Sequence, residues 1–258
     1  MCGNAAMYDA VAGKILVVGG SPNYQDSTST SNAHIITLGT PPNVPTVTTI
    51  GNMAYQRAFA NSVVMPDGTV LIIGGQVTAK PFSDDTSQLV PELFNPATNK
   101  FTQLAPMAIP RTYHSIGVLL PDGTVASCGG GLCGNCATNH YDVQIFTPPY
   151  LYTHSGALAA RPVINSISVT SIKVGGTFTV TTGGAVSAFS VIRLTSTTHT
   201  VNTDQRRIAL TPSATTGTTY SLTVPKDPGV ALPGAWYVFV LDSSGVPSVS
   251  KTILITLT

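Results

Sequence analysis

Charge is what this sequence has least of. Lys, Arg, Asp and Glu make up 9% of its 258 residues, against roughly 25% in an ordinary soluble domain. Helix surfaces draw on Glu, Lys and Arg, so this scarcity argues against a mainly helical protein. The formal net charge is +1, which gives no electrostatic basis for a nucleic-acid or membrane-surface partner. No apolar run reaches the roughly 18 residues that span a bilayer. The four cysteines, Cys2, Cys128, Cys133 and Cys136, are too few to staple a chain of this length. The start, Met1-Cys2-Gly3-Asn4, lacks a basic region followed by an apolar stretch, so no signal peptide is expected there. A Ser/Thr-rich composition of secreted type without such a leader suggests a piece of a longer polypeptide. No Gly-rich phosphate loop and no GxSxG occur, and the acids are scattered without paired spacing.

What is abundant is turn-forming: 24 Gly and 19 Pro, with 43% hydrophobic residues to build a core. These residues are organised by an internal repeat. Asp9–Gly20 (DAVAGKILVVGG), Pro66–Gly75 (PDGTVLIIGG) and Pro121–Gly130 (PDGTVASCGG) each read as a turn, a β-rich run and a double glycine. The glycine pairs at 19–20, 74–75 and 129–130 are spaced by 55 residues both times. Apolar runs Ser62–Met65 and Ser115–Leu120 precede the second and third turns, predicting hairpins. Further strands are predicted at Ala33–Leu38, Val90–Phe94 with Phe101 beyond, and Tyr141–Phe146. Double glycines at this period are the kelch signature of a β-propeller blade. Three blades cannot close a ring, since propellers typically use about four to eight. The missing blades are therefore expected upstream or from another chain.

After Pro148-Pro149-Tyr150 the pattern changes, and Thr153–Pro162 reads as a linker. Seven short strands are predicted from Val163: Val163–Ser168, Thr177–Thr181, Ala188–Leu194, Arg207–Leu210, Thr219–Val224, Trp236–Leu241 and Val249–Leu257. That spacing suits an immunoglobulin-like sandwich, with Trp236 as a core anchor. The fold expectation is thus all-β: a partial kelch propeller of three blades over residues 1–153, then an immunoglobulin-like sandwich over 160–258.

Few residues could carry chemistry. Of the five histidines, His34, His140 and His154 have no second ligand nearby and read as structural or exposed. His114 follows Tyr113 just before a hairpin strand, and His199 sits in a polar stretch, TTHTVNTDQRR, that interrupts the sandwich. Composition alone makes both hydrogen-bonded structural residues. Cys133-Gly134-Asn135-Cys136 lacks a second zinc-binding pair and a strand–helix redox context, so a local disulfide is the economical reading. Cys2 and Cys128 are then unpaired, Cys128 buried in its strand as a small apolar residue.

At this level of detail the sequence resembles the copper-radical oxidases of the kelch-propeller type, the galactose oxidase family. The resemblance runs over essentially the whole chain. It is carried by Cys2–Ala5 (CGNA), Gly19–Asp26 (GGSPNYQD), Tyr113-His114-Ser115, Gly129–Cys136 (GGGLCGNC), Asn139-His140, Thr198–Ile208 (THTVNTDQRRI) and Gly245–Val249 (GVPSV). It implies a secreted enzyme in which copper lies near the axis of a seven-bladed propeller and a loop from the C-terminal domain brings in a histidine. By the same resemblance Tyr113 is the axial ligand and catalytic base, and His114 and His199 are copper ligands. Tyr24, Gln25, Phe82 and Phe59 line the substrate mouth, and Cys133 and Cys136 form a family disulfide. Substrates would be a sugar or small primary alcohol and O2, giving an aldehyde and H2O2. The cross-linked Tyr–Cys radical cofactor, and the aromatic stacked over it, lie in blades this chain lacks; Trp236 is not that aromatic. Ala60 stands where the family has a histidine. The chain alone is therefore expected to be inactive, with a non-catalytic binding or scaffolding module as the alternative.

Overall fold

The computed structural model describes residues 1–40 and 42–257 and consists of strands and loops with a single 3-10 turn at Pro149–Leu151. Three sheets follow one another in the first half. Asn4–Asp9, Lys14–Val18, Ala33–Thr37 and Thr46–Thr49 form the first, in that order. Ala58–Val64, Val70–Gln76, Glu92–Asn95 and Lys100–Gln103 form the second. Ser115–Leu119, Val125–Gly129 and Val143–Phe146 form the third, which has three strands where the others have four. Each sheet opens on a hairpin whose second strand ends in a glycine pair. In the second and third hairpins Asp67 and Asp122 bind the backbone N–H and the hydroxyl of Thr69 and Thr124, two residues on, at 2.6–3.0 Å. These Asx turns lock Asp-Gly into the reversal.

The glycine pairs join neighbouring sheets. Gly20 N–H donates to Arg57 O at 2.8 Å, and Gly75 N–H donates to Arg111 O at 2.7 Å. Gly74 has φ +73°, and any Cβ there would collide with Arg111 O. Glycine is thus required for the close approach as well as for the backbone angle. The two arginines also hook back into their own sheets. Arg57 donates to Gly74 O at 2.7 Å and to Glu92 at 3.1 Å, while Arg111 donates to Gly129 O at 2.9 Å and to Asp142 at 2.6 Å.

In the second half a four-stranded sheet (Ile164–Ile167, Thr177–Thr182, Thr219–Thr223, Ala214–Thr216) and a five-stranded one (Ser171–Lys173, Lys251–Thr256, Gly234–Leu241, Ala188–Arg193, Arg207–Leu210) share one apolar core. Phe178, Val180 and Leu222 from one sheet meet Val191, Trp236, Val238 and Ile253 from the other. Trp236 is fully buried and its indole N–H donates to Leu232 O at 2.9 Å, so it anchors the core as expected. Burying side chains of this size contributes about 1.5–3 kcal/mol each.

The structure departs from the sequence expectations in detail. Asn4–Asp9, Thr46–Thr49, Ser171–Lys173 and Ala214–Thr216 are strands that the patterning does not mark. A ribbon of Ser27–Thr28 with Thr78–Ala79 ties the first sheet region to the second. Cys128 is half-buried rather than buried, although Val125–Gly129 is the middle strand of its sheet; Cys2 is half-buried too, and both are free.

The halves meet along several backbone contacts. Ala10 N–H donates to Arg207 O at 2.9 Å, and Ser250 N–H donates to Pro121 O at 2.8 Å. Gln205, 1% exposed, accepts from Val64 N–H at 3.0 Å and donates to Ser62 O at 2.8 Å. This one side chain fastens the loop after Ala188–Arg193 to Ala58–Val64, the end strand of the second sheet. Arg207 adds a bond to Pro66 O at 3.0 Å, and Arg193 pairs with Asp204 at 2.9 Å.

Candidate metal centre

The loop held by Gln205 and Arg193 carries a tight reversal at its tip. Thr198 and Val201 exchange backbone hydrogen bonds of 2.8 and 3.1 Å across His199 and Thr200. Both intervening residues have positive φ, +50° and +66°, the sign that a type I′ reversal demands. Glycine or asparagine normally occupies such positions, and the β-branched Thr200 is costly there. The reversal holds His199 out at the tip, exposed and without a packed wall of its own.

The reversal meets the loop before Ser115–Leu119, which carries Tyr113 and His114. The Nε2 atoms of His114 and His199, 85 residues apart in sequence, face one another at 2.9 Å. His114 Nδ1 donates to Gly131 O at 2.7 Å. A carbonyl only accepts, so Nδ1 holds a proton and Nε2 is the nitrogen the ring turns toward His199. His199 Nδ1 is engaged by the Thr198 hydroxyl at 2.7 Å. The Thr198 hydroxyl can donate to that Nδ1, leaving His199 Nε2–H to hydrogen-bond with His114 Nε2, and a metal ion can take the place of the shared proton. Imidazole nitrogens bind divalent first-row ions at about 2.0 Å, so a right-angled pair on one ion is about 2.8 Å apart. The observed separation matches an adjacent pair in a tetragonal N,O set of the kind copper(II) favours. Thus the residues fit a copper ion.

Aromatic rings enclose the pair. The Tyr113 ring stacks on His114 with centroids 3.9 Å apart and an interplanar angle of 29°. Phe82 sets its edge on Tyr113 at 5.0 Å and lies 5.6 Å from His114. Tyr24 lies 5.8 Å from Tyr113 and Phe59 lies 5.2 Å from it. Tyr24 and Phe82 are 42% and 46% exposed, so they form an open rim. Phe59 is 1% exposed and sits behind Tyr24 and Tyr113 as their support. Gln25 is exposed beside Tyr24, its amide 3.4 Å from Asp26. Partial desolvation, then the neighbouring Tyr113, raise the Tyr24 phenol above its ordinary range and keep it a neutral hydrogen-bonding group.

Among the described residues, ten non-glycine residues have positive φ, and all except Asn99 lie in the segments that build this site: Cys2, Asp26, Phe59, Phe82, Thr86, His114, Leu132, His199 and Thr200. Strained backbone costs about 1–3 kcal/mol per residue and persists where surrounding structure forces it. Such concentration around two facing imidazoles makes this cluster the candidate functional site.

Cys133 and Cys136 are disulfide-bonded, in the loop that supplies Gly131. Asn139 shapes that loop, its side-chain oxygen accepting from Leu132 and Cys133 N–H at 2.7 and 3.3 Å. His34 bonds Thr49 at 3.2 Å, away from the site. His154 lines a separate cavity of about 1040 Å3 with Tyr150, Tyr152 and Asp242. The residues that sequence reasoning passed over are Gly131 and Thr198, which orient the imidazoles, Gln205, which fastens the reversal, and His140, which pairs with Asp84 at 2.9 Å. Only the stretches quoted for the resemblance hinted at them, since all but Asp84 fall inside those stretches.

Comparison with known proteins gives the chain its family. Residues 6–150 match the family model of the glyoxal oxidase N-terminus, and residues 161–255 match that of the galactose oxidase-like early set domain. A galactose oxidase of Gibberella zeae is 55% identical over 257 residues, 99% of this chain and 38% of that protein. An aldehyde oxidase of Arabidopsis thaliana is 28% identical over 227 residues, 79% of this chain and 36% of that protein. A solved structure described as a novel fungal alcohol oxidase of the AA5 family, in complex with copper, superposes with a TM-score of 0.97 at 49% identity. That match covers 100% of this chain and 54% of the other. The chain thus spans well under half the length of the curated relatives named here. The chain belongs to the family that the glyoxal oxidase N-terminus model describes, and its strong homology to galactose oxidase sets it on that side of the family.

Proposed function

We propose that this chain is the C-terminal part of a secreted copper-radical oxidase that converts a primary alcohol of galactose type to an aldehyde while reducing O2 to H2O2. In this reading residues 1–153 are three kelch-type propeller blades and residues 160–258 an immunoglobulin-like domain. His114, His199 and Tyr113 hold copper. The observation that carries the reading is the pair of imidazole nitrogens facing at 2.9 Å, stacked under Tyr113.

Bound copper would supply a one-electron couple. The residues of the chain do the rest. The Tyr113 oxygen, as the general base, takes the hydroxyl proton of the alcohol. Gly131 and Thr198 fix the two ring orientations so that the ligand set is preorganised. Phe82 and Tyr24 offer apolar surface to the carbon face of a sugar, and Gln25 offers an amide to its hydroxyls. Phe59 supports this wall from behind. In balance, one alcohol and one O2 give one aldehyde and one H2O2, two electrons and two protons passing to O2. The family stores the second electron on a cross-linked Tyr–Cys pair outside this chain. Hence the isolated chain binds copper but does not turn over.

The test is copper titration followed by electron paramagnetic resonance on this chain and on its His114→Ala and His199→Ala variants. An axial Cu(II) signal with nitrogen coupling is expected for the parent, weakened at least about tenfold in affinity by either substitution. The full-length protein should release peroxide from galactose. Peroxide release by the isolated chain would refute the incomplete-site reading. A chain that binds no copper would instead favour a non-catalytic module.

A further inference from the structure

We propose that the Asp84–His140 pair is a positioning strut that holds Phe82 at the site mouth and thereby sets preference for sugars over small alcohols. The inference rests on the oxidase reading above.

Phe82 lies in the loop between Thr78–Ala79 and Ser87. Two of its residues, Phe82 and Thr86, have φ of +60° and +58°, which neither favours by itself. Several bonds hold the loop in this shape. Thr112 donates its hydroxyl to Ser83 O at 3.1 Å, and Asp85 N–H donates to the Ser83 hydroxyl at 3.0 Å. Thr86 receives Val77 and Thr78 N–H, each at 3.0 Å, on its carbonyl and hydroxyl. All but the Thr112 bond are local to the loop and its stem. Asp84 reaches across 56 residues to His140 Nε2 at 2.9 Å. Its other carboxylate oxygen is buried without a partner among the described residues, so its side-chain bonding rests on this contact.

His140 is itself well placed as an anchor. It closes the disulfide loop that Asn139 shapes, and it packs on Gly130, where an added Cβ would come within 3.1 Å of its ring. Gly131 in the same loop orients His114. One side-chain hydrogen bond therefore couples the Phe82 loop to the loop that orients a proposed metal ligand. Phe82 answers through its edge contacts to Tyr113 and His114 at 5.0 and 5.6 Å. Lys80 and Asp85, paired at 2.6 Å in the same loop, are both exposed and tie the loop only to itself.

Releasing the strut lets the strained loop relax and withdraws an aromatic wall. A hexose, which needs that wall, should feel the change, whereas a three-carbon alcohol should not. The experiment uses Asp84→Ala, His140→Ala, the conservative His140→Gln, which keeps an N–H donor, and Lys80→Ala as the loop control. In the full-length protein KM for galactose should rise about five- to tenfold in the two alanine variants. Values of kcat and of KM for 1-propanol should change by less than about twofold, with recovery in His140→Gln. The Cu(II) resonance signal should be unchanged. In parallel, hydrogen exchange of residues 80–86 in this chain should accelerate in Asp84→Ala and His140→Ala but not in Lys80→Ala. Equal KM rises for both alcohols, a changed copper signal or unaltered exchange would overturn the strut. A full-length protein that neither binds copper nor consumes O2 would overturn the oxidase reading and the specificity claim with it, while the exchange measurement still decides whether the strut holds the loop.

Discussion

Glu92→Gln is the sharpest probe of how this arc of sheets is held. Glu92 and Arg57 are each 1% exposed and their charged ends lie 3.1 Å apart. Burial alone lowers the Arg57 guanidinium below its usual range, and Glu92 opposes that, so the pair stands or falls together. Glu92 also accepts Ala54 N–H at 2.7 Å and Tyr55 N–H at 3.2 Å. All three partners are donors. A glutamine amide has one oxygen and one NH2, so its NH2 must face either Arg57 and Tyr55 or Ala54. It therefore loses a hydrogen bond, places donor against donor and leaves a buried cation uncompensated. Removing one partner of a buried pair costs about 3–5 kcal/mol. With a urea slope of about 3 kcal/mol/M, the unfolding midpoint should fall by about 1–1.7 M. The assay is equilibrium urea unfolding followed by the fluorescence of Trp236. Arg57→Met combined with Glu92→Met should recover part of the loss, because the double change removes both charges together. A midpoint within about 0.2 M of the parent for Glu92→Gln would refute the argument, since it would mean that water reaches the pair.

Three further outcomes follow from the same geometry. Gly74→Ala should destabilise by more than about 2 kcal/mol, because φ is +73° and the added carbon meets Arg111 O, whereas Gly51→Ala, with open space around it, should stay within about 0.5 kcal/mol in thermal melts. Gln205→Leu leaves Val64 N–H and Ser62 O buried and unpaired and should cost about 2–4 kcal/mol, and copper binding should weaken as His199 loses its fixed position. Burial pushes the Tyr150 phenol well above its ordinary value of 10.0, while its hydroxyl donates to Gly123 O. The folded state therefore keeps a proton that the unfolded state sheds, and stability present below pH of about 10 is lost as pH rises beyond it. Tyr150→Phe should flatten that alkaline slope in pH-dependent unfolding.

The repeat was legible because glycine pairs, Asp-Gly turns and apolar runs are chemical necessities of the hairpins, and Gly74 shows why: its place is dictated by a neighbouring backbone. Strands without apolar alternation were not legible. Thr46–Thr49 is exposed at every residue and is held by its ladder to Ala33–Thr37 and by the His34–Thr49 side-chain bond, so no apolar pattern announces it. Asn4–Asp9 buries Asn4, Ala6 and Tyr8, and only Tyr8 is a large hydrophobe; the amide of Asn4 donates to Ala60 O at 2.8 Å. The two imidazoles of the centre lie far apart in sequence, and no spacing rule connects them; their pairing entered only through resemblance. His140 looked structural by itself because its partner Asp84 lies in a different sheet's loop.

The bonds of Gln205 to Ser62 and Val64 span 143 and 141 residues, and the facing imidazoles span 85. Closing loops of that length is entropically costly and slow, and contacts so remote in sequence form late in folding. His199 therefore reaches its partner only after the sheets on both sides are assembled and docked. In the copper reading proposed above, metal capture would come last, since an ion arriving earlier would find half a binding site.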